Sequence, residues 1–350
     1  MRNEFSMYRS QLKGYLFEVI INELLRKNGF TLIAFATEPQ ERVRKNREGF
    51  IEIRGRGCWH QIDCPCDFNR LIPFSYPLRL LGEVKFYRSP LAKKHIREYI
   101  GVVKDIQENY FVADGVSPEE AYPRKAEVGV YFSASGFQAE AEKLAYAHGI
   151  KTISYANNYL IDQIKNTLVE FESNYLSVNC IKAGHWNDFQ RTFISAIRNQ
   201  NFDQNIFAQY CADGYHEILS QLQNELVIIK SSFIATTATG VFLHFVGNRP
   251  FPEDEFAASD EGRCRVYFTR NYNNVNGGQR LFWMEINDDH RRFYFTPPES
   301  LDYASVFGGE IALDEKERLF GLLNVNIVLG GITRNLILHL DRNWLDAIRE

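Results

Sequence analysis

The segment LRLLGEVKFY, residues 78–87, constrains the fold more than any other part of the chain. Its nearly continuous apolar run indicates a strand that is buried along most of its length, as in sheets covered on both faces. Glu83 and Lys85 interrupt the run, and the two-residue period of a strand places both side chains on one face. Burying a carboxylate and an ammonium is costly unless they pair or bind a metal. The segment therefore predicts an internal strand whose charged residues need a partner.

Helical and strand patterns alternate on both sides of this segment. Residues 4–27 carry leucine and isoleucine at four-residue steps and end at Asn28-Gly29, which predicts a long first helix. TLIAFAT (31–37), FIEIRGRG and CWHQIDCPCDF are strand candidates, and after residue 90 the pattern runs helix, strand, helix, strand. A strand, helix, strand unit forms a parallel pair through a right-handed crossover. The order predicts an α/β domain with a mixed sheet flanked by helices.

The length of the chain favours two domains. With 350 residues and 45% apolar composition, it can bury one large core or two ordinary ones. We place the boundary near residue 175, so that residues 1–175 form the first domain and residues 176–350 the second. Residues 205–224 have a helical pattern, several antiparallel strand candidates follow, and a helix, a strand and a helix end the chain. This indicates a second, α+β domain, for which targeting, sensing or oligomerisation are the candidate roles.

Apolar runs and cysteines indicate the compartment. No stretch approaches the roughly 18 apolar residues of a membrane span, and the N-terminus carries charge where a signal peptide is apolar, so a cytoplasmic protein without membrane contact is expected. The six cysteines are too sparse for a disulfide framework. Zinc is an alternative for Cys58, His60, Cys64 and Cys66, but their spacing lacks the paired knuckle of structural zinc sites. Small buried thiols beside a functional strand are the favoured interpretation.

Charge is unevenly distributed along the chain. Residues 1–155 contain 23 lysines and arginines against 19 acidic residues, whereas the remainder contains 17 against 25. The basic half is the candidate for contact with a polyanion. Its basic residues concentrate just before Asp63, at Arg42, Arg44, Lys45, Arg47, Arg54 and Arg56. A solvated charged hairpin is the alternative interpretation of this concentration.

Asp63 and the tripeptide Glu83-Val84-Lys85 lie on neighbouring strand candidates. Helical spacing places Glu18 within the apolar arc of the first helix, from which its carboxylate could complete a metal site or orient Lys85. Two carboxylates and a backbone carbonyl suit a hard cation such as Mg²⁺. Such a site supports phosphodiester hydrolysis. Lys85 is expected to position and help to deprotonate the attacking water and to balance charge as the pentacovalent state develops. The alternatives are a structural Glu–Lys pair at a sheet edge and a Glu18 carboxylate that reaches water.

Four segments carry a resemblance to a known family, namely GYLFEVIINELLRKNGF, GRGCWHQIDCPC, LRLLGEVKFYRSP and FSASGFQAEAEKLAYAHGIKTISY. Over residues 10–155 the chain resembles the Mrr-like restriction endonucleases of the PD-(D/E)XK superfamily. The resemblance implies a restriction-endonuclease-like mixed sheet and an endonuclease acting on DNA in prokaryotic defence against foreign or phage DNA. It implies Glu18, Asp63, Glu83 and Lys85 as catalytic residues. It also implies Mg²⁺, for which Mn²⁺ may substitute, on Asp63, Glu83 and Val84.

The approach to Asp63 supplies the expected contacts with nucleic acid. Arg54 and Arg56 are expected on backbone phosphates, and Gly57 lets the backbone come close. His60 and Gln61 are weaker candidates nearby. The expected partners are DNA and either further copies of the chain or a defence-system protein. The alternatives are a nuclease acting on RNA or branched DNA, and a catalytically silent binding or assembly module with a nuclease fold.

Overall fold

The computed structural model describes residues 6–33, 38–46, 49–68, 75–110, 124–177, 180–198, 204–270 and 280–349. The helices are α1 (Arg9–Lys27), α2 (Lys93–Gln107), α3 (Ala139–Ala147), α4 (Tyr159–Glu170), α5 (Ala183–Ile197), α6 (Gln204–Tyr210), α7 (Tyr215–Ile228), α8 (Glu299–Phe307), α9 (Gly309–Phe320) and α10 (Arg342–Ala347). In the part of the chain so described, none of them combines the length and the apolar character that crossing a membrane requires.

The strands are β1 (Ser6–Tyr8), β2 (Phe30–Leu32), β3 (Val43–Lys45), β4 (Ile51–Arg54), β5 (Trp59–Gln61), β6 (Cys64–Phe68), β7 (Leu78–Lys85), β8 (Ala126–Ser133), β9 (Lys151–Ser154), β10 (Cys180–Lys182), β11 (Ser231–Thr237), β12 (Phe242–Gly247), β13 (Glu261–Arg270), β14 (Arg280–Ile286), β15 (Asp289–Tyr294), β16 (Leu322–Leu329) and β17 (Ile332–Leu340). The strand predicted at 31–37 appears as β2, and residues 34–37 lie outside the described residues, as does Arg47.

A five-stranded mixed sheet has β7 at its centre, in the order β2-β6-β7-β8-β9. Strand β6 is antiparallel to β2 and β7, whereas β7, β8 and β9 are parallel to one another. Val84 faces the apolar side chains of α1 and α4, and Leu81 faces those of α2 and α3. Both faces of the sheet are therefore covered by helices, and the apolar run at 78–87 is an internal strand as predicted.

A small three-stranded sheet, β3-β4-β5, is inserted between β2 and β6. Its strands are antiparallel and short. Val43 and Ile53 anchor it, because both are buried in the cluster that also contains the apolar residues of α2. The arginines of this hairpin sheet consequently point away from the anchored side, toward solvent.

Helices α5 to α7 pack on the first half of the chain. Trp186, Phe193 and Leu219 belong to the same hydrophobic cluster as Leu16 of α1. Strand β10 also pairs with β1 near the N-terminus. Apolar packing thus continues past residue 175 through α7 and on to Val246, Trp283 and Tyr294 of later strands. The domain boundary near residue 175 stays a prediction.

Strands β11 to β17 close into a seven-stranded barrel, in the order β11-β12-β15-β14-β13-β17-β16. The pairs are antiparallel except β13 with β17, which is parallel. The interior is filled by large apolar side chains such as Phe233, Phe245 and Phe293. A mostly antiparallel second domain was expected, and the structure shows that its strands close into a barrel. Strands β11 and β16, which close it, are far apart in sequence, so no local sequence pattern indicated that they pair.

Buried polar side chains link the barrel to the first half. Asn28, at the end of α1, donates its side-chain N–H to Ser232 Oγ at 3.0 Å, and Ser232 in turn contacts His244 Nε2. Tyr155 Oη lies 2.8 Å from the other ring nitrogen of His244. Burial lowers the pKa of His244 to about 3, so its ring is neutral at physiological pH. The network joins α1, the end of β9 and two barrel strands.

Candidate active site

Asp63 and Lys85 meet where β6 begins and β7 ends. Asp63 Oδ2 accepts the backbone N–H of Val84 at 3.0 Å and the ammonium of Lys85 at 3.3 Å. Lys85 Nζ also contacts Glu83 Oε1. The antiparallel pairing of Cys64 with Gly82 brings Asp63 opposite Glu83. The structure thus brings the three sequence-predicted residues of these strands together.

The strands approach so closely there because residue 82 is glycine. A Cβ at Gly82 would lie 2.6 Å from Cys64 Cβ and 2.9 Å from the Cys64 carbonyl oxygen. Such separations are well inside van der Waals contact, so a larger residue would push β6 from β7. Gly82 therefore fixes the distance between the Asp63 and Glu83 side chains.

Glu18 reaches the same place from α1. Burial, followed by the negative charges of Asp63 and Glu83, raises the pKa of Glu18 well above its usual range. The same causes, burial and then Asp63, raise the pKa of Glu83 to about 7. Burial alone would lower the pKa of the Lys85 ammonium, but the negative charges of Asp63 and Glu83 outweigh this effect and raise the pKa. We call Glu18, Asp63, Glu83 and Lys85 the carboxylate cluster.

Val84 contributes its backbone to the cluster. Its side chain is buried, and its N–H points to Asp63. In a strand the N–H and C=O of one residue point toward the same neighbouring strand. The Val84 carbonyl therefore faces the Asp63 side of β7, where the sequence predicted a backbone ligand.

Tyrosines that the sequence analysis did not select surround the cluster. Burial, and then Glu18, raise the pKa of Tyr15 to about 12, while its hydroxyl hydrogen-bonds with Gln61. Tyr15 lies three residues before Glu18 on α1, so the helical spacing that selected Glu18 could also have selected it. Tyr131 pairs in register with Glu83 on β8, and burial beside that carboxylate raises its pKa.

The arginines of the hairpin sheet are arranged around an aromatic ring. The Arg44 guanidinium lies 4.2 Å from the centre of the Trp59 ring, and that of Arg54 lies 5.6 Å from it. Arg56 is 74% exposed and forms a 3.6 Å ion pair with Glu108. Arg44 also forms a 2.6 Å ion pair with Glu52. Within the described residues these contacts, and not contacts with the carboxylate cluster, hold the arginine side chains. We call Arg44, Arg54 and Trp59 the basic stack.

His60, Gly57 and Cys58 meet Asp105 of α2. The N–H groups of Gly57 and Cys58 donate to its carboxylate, and His60 Nε2 lies 2.7 Å from Asp105 Oδ2. Hydrogen bonding from His60 lowers the pKa of Asp105. His60 and Gly57 are therefore bound to α2, whereas Gln61 is directed to Tyr15 at the carboxylate cluster.

The cysteines separate into two kinds. Cys64 and Cys66 are buried against α1, where burial raises the pKa of both thiols, that of Cys66 to about 12. Cys58 is exposed. The four-residue zinc set is thus not assembled, and the expectation of buried thiols holds for Cys64 and Cys66 but not for Cys58. In the described ranges, the group of metal-ligand atoms that converges within 4.8 Å is Cys58, His60 and Asp105, not the carboxylate cluster.

Comparison with known proteins gives no family. No family model matches the chain, and no curated protein matches it. The chain is similar to one crystal structure of a protein of unknown function, AF1548, at 15% sequence identity. The match covers 61% of this chain and 97% of that chain with a TM-score of 0.34, which supports no conclusion about fold or function.

Proposed function

We propose that the protein is a metal-dependent endonuclease that hydrolyses phosphodiester bonds of DNA. The observation that carries the proposal is the carboxylate cluster, in which three partly buried carboxylates, from the β6 and β7 segments and from α1, lie around one ammonium. The mixed sheet that positions them supports a restriction-endonuclease-like fold, as does the resemblance over residues 10–155.

The charge of the cluster suits a divalent cation. When all three carboxylates are ionised, one ammonium leaves two negative charges in a site of low dielectric constant. Burial, and then the charge of Asp63, raise the pKa values of Glu18 and Glu83. Asp63, Glu83 and the Val84 carbonyl are hard oxygen donors of the kind that Mg²⁺ prefers. These residues fit the ion, which when bound supplies Lewis-acid activation of the phosphodiester and of water.

Glu83 and Lys85 have different parts in the proposed hydrolysis. As a ligand of the ion, Glu83 would be held in its ionised form, so its pKa of about 7 applies to the metal-free protein. Asp63 and Glu83 keep Lys85 protonated by raising its pKa, so its ammonium stabilises the negative charge that develops on the phosphate. This role keeps the charge balance expected of Lys85 from the sequence, but not its expected help in deprotonating the water.

The basic stack supports a nucleic-acid substrate. Two guanidinium groups beside an exposed hairpin can contact backbone phosphates, and such contacts add affinity without reading sequence. Arg54→Ala should lower the salt dependence of DNA binding by about one phosphate contact. Arg318→Ala on α9, also an exposed arginine, is the matched control. If the dependence of DNA affinity on salt concentration were unchanged in Arg54→Ala, the basic stack would not be part of the DNA-binding surface.

The decisive test is cleavage by wild type and Lys85→Ala, with Lys94→Ala on the exposed face of α2 as the matched lysine control. Plasmid, linear duplex, single-stranded DNA and RNA are incubated in Mg²⁺, Mn²⁺ and EDTA. We expect divalent-dependent cutting of DNA by wild type and Lys94→Ala, and a loss of at least roughly 100-fold for Lys85→Ala. Cutting of RNA alone would favour the ribonuclease alternative. Inertness of folded wild type on every substrate would favour the binding module.

Partners and cellular role follow from the same proposal. Breaking both strands of a duplex uses two active sites, which favours a homo-oligomer or a complex with a defence protein. Sedimentation of DNA-bound protein as a monomer while double-strand breaks accumulate would contradict this. For defence against phage, cells that express wild type should lower phage plating relative to cells that express Lys85→Ala.

A further inference from the structure

Cys58, His60 and Asp105 converge at the hairpin loop between β4 and β5. Cys58 Sγ lies 3.4 Å from His60 Nε2, His60 Nε2 lies 2.7 Å from Asp105 Oδ2, and Cys58 Sγ lies 4.0 Å from Asp105 Oδ2. Asp105 belongs to the last turn of α2, 45 residues after His60 in sequence. The three side chains supply a thiol, an imidazole and a carboxylate, which are the ligand types of Zn²⁺.

The thiol and the carboxylate approach the same ring nitrogen. A nucleophilic Cys–His–Asp relay needs the thiol at one nitrogen of the imidazole and the carboxylate at the other. Here both are closest to Nε2, and a single ring nitrogen has either one hydrogen to donate or one lone pair to offer. The arrangement therefore does not serve proton relay. A cation among the three atoms would satisfy all of them at once.

The triangle of ligand atoms has the size that zinc requires. Zn–S bonds of about 2.3 Å and Zn–N and Zn–O bonds of about 2.0–2.2 Å at tetrahedral angles place ligand atoms roughly 3.4–3.6 Å apart. The three observed separations lie on both sides of this value. The Cys58–His60 separation already has it, the Cys58–Asp105 separation would shorten by about 0.4 Å, and the His60–Asp105 separation would lengthen by about 0.7 Å as its hydrogen bond is replaced by the ion.

The backbone around the loop holds the ligands in place. The N–H groups of Gly57 and Cys58 donate to the two oxygens of Asp105, and the Arg56 N–H donates to its carbonyl oxygen at 2.9 Å. A Cβ on Gly55 would collide with the Asp105 carboxylate. Hydrogen bonds that orient a ligating carboxylate are a regular feature of metal sites.

We propose that Cys58, His60 and Asp105 bind one Zn²⁺ ion, with the fourth position open to solvent water. The site shares no residue with the carboxylate cluster. Its thiol and imidazole are also softer ligands than the carboxylate oxygens of that cluster. Bound zinc ties the β4–β5 loop to α2 and so fixes the hairpin that carries Arg54 and Arg56. The proposal does not depend on nuclease activity.

Metal content of the full-length protein tests the site directly. Protein is loaded with Zn²⁺ under reducing conditions and gel-filtered, and zinc is counted per chain. Wild type should retain one zinc per chain, and Cys58→Ser, His60→Ala and Asp105→Asn should each weaken zinc binding by more than roughly 100-fold, since even outer contacts to a metal change affinity 10- to 100-fold. His148→Ala, an exposed histidine, and Asp63→Asn, in the carboxylate cluster, are controls that should retain the zinc.

Two further readouts separate ligation from loss of folding. Co²⁺ in place of Zn²⁺ should give a thiolate charge-transfer absorption that Cys58→Ser lacks while its circular dichroism is that of wild type. Zn²⁺ should also slow the reaction of Cys58 with a disulfide reagent by at least about tenfold in folded wild type. The proposal is overturned if zinc stoichiometry and affinity are the same in wild type and Cys58→Ser, or if the wild type retains no zinc.

Discussion

Replacing Glu83 by glutamine should stabilise the metal-free protein at pH 8. Folding raises the pKa of Glu83 from 4.5 to about 7. One pKa unit corresponds to about 1.4 kcal/mol, so ionised Glu83 destabilises the fold by roughly 3 kcal/mol above pH 7. The sign follows from proton binding: between pH 4.5 and 7 the folded protein holds a proton that the unfolded chain has released, so stability falls as pH rises through this window.

The measurable gain is smaller than that figure. Glu83 is 21% exposed, which weakens the effect of burial, and glutamine loses the ion pair with Lys85. We expect Glu83→Gln to exceed wild type by about 1–2 kcal/mol at pH 8 and to match it within about 0.5 kcal/mol at pH 5. The assay is urea unfolding in EDTA at the two pH values. Glu98→Gln, on the exposed face of α2, is the matched control and should show no such dependence on pH.

Addition of Mg²⁺ should reverse the order of stability. A cation bound by Asp63 and Glu83 stabilises the folded state by mass action, and Glu83→Gln lacks one of the ligands. Wild type at pH 8 should therefore gain more from Mg²⁺ than the variant does. If Glu83→Gln were less stable than wild type by the same amount at pH 5 and pH 8 in EDTA, the electrostatic description of the cluster would be refuted.

Two other perturbations test features elsewhere in the fold. Gly55→Ala places a Cβ against the Asp105 carboxylate and should lower the free energy of unfolding in urea by about 1–3 kcal/mol. The control Gly101→Ala, with open space around its Cβ on α2, should raise it by about 0.5–1 kcal/mol. Equal effects of the two substitutions would show that the loop does not need glycine. The pKa of His244 falls from 6.5 to about 3 in the folded state, so between these pH values only the unfolded chain binds a proton there. Between pH 7.5 and 5, the free energy of unfolding of wild type should therefore fall by about 2 kcal/mol more than that of His244→Gln. Identical losses in the same unfolding assay would contradict the neutral, buried imidazole.

Local periodicity was sufficient to predict the central strand and the first helix that carry most of the carboxylate cluster. The period of two placed Glu83 and Lys85 on one face of an internal strand, and the period of the first helix placed Glu18 on its apolar side. These residues lie in long, regular segments where apolar pattern and secondary structure agree. The placement of Glu18, Glu83 and Lys85 on their elements was therefore predictable, whereas their expected convergence with Asp63 rested also on the resemblance over residues 10–155.

Features that depend on contacts distant in sequence were not predictable from local pattern. Asp105 is a polar residue on a helix of strong apolar spacing, and nothing nearby indicates that it meets Cys58 and His60. Closure of the barrel likewise depends on the pairing of β11 with β16, which only the assembled structure reveals. Tyr15 is the exception, because its place on the Glu18 face of α1 was available from helical spacing.

The polar network at the end of α1 has a consequence for how the protein can be divided. Asn28 is completely buried, and Ser232, which accepts its side-chain N–H, belongs to the barrel. A chain shortened before the barrel would leave the Asn28 amide with the Leu24 carbonyl as its remaining acceptor and would uncover the neighbouring end of α1. For α1, the barrel is the equivalent of a permanently bound subunit, and the helix that carries Glu18 depends on it.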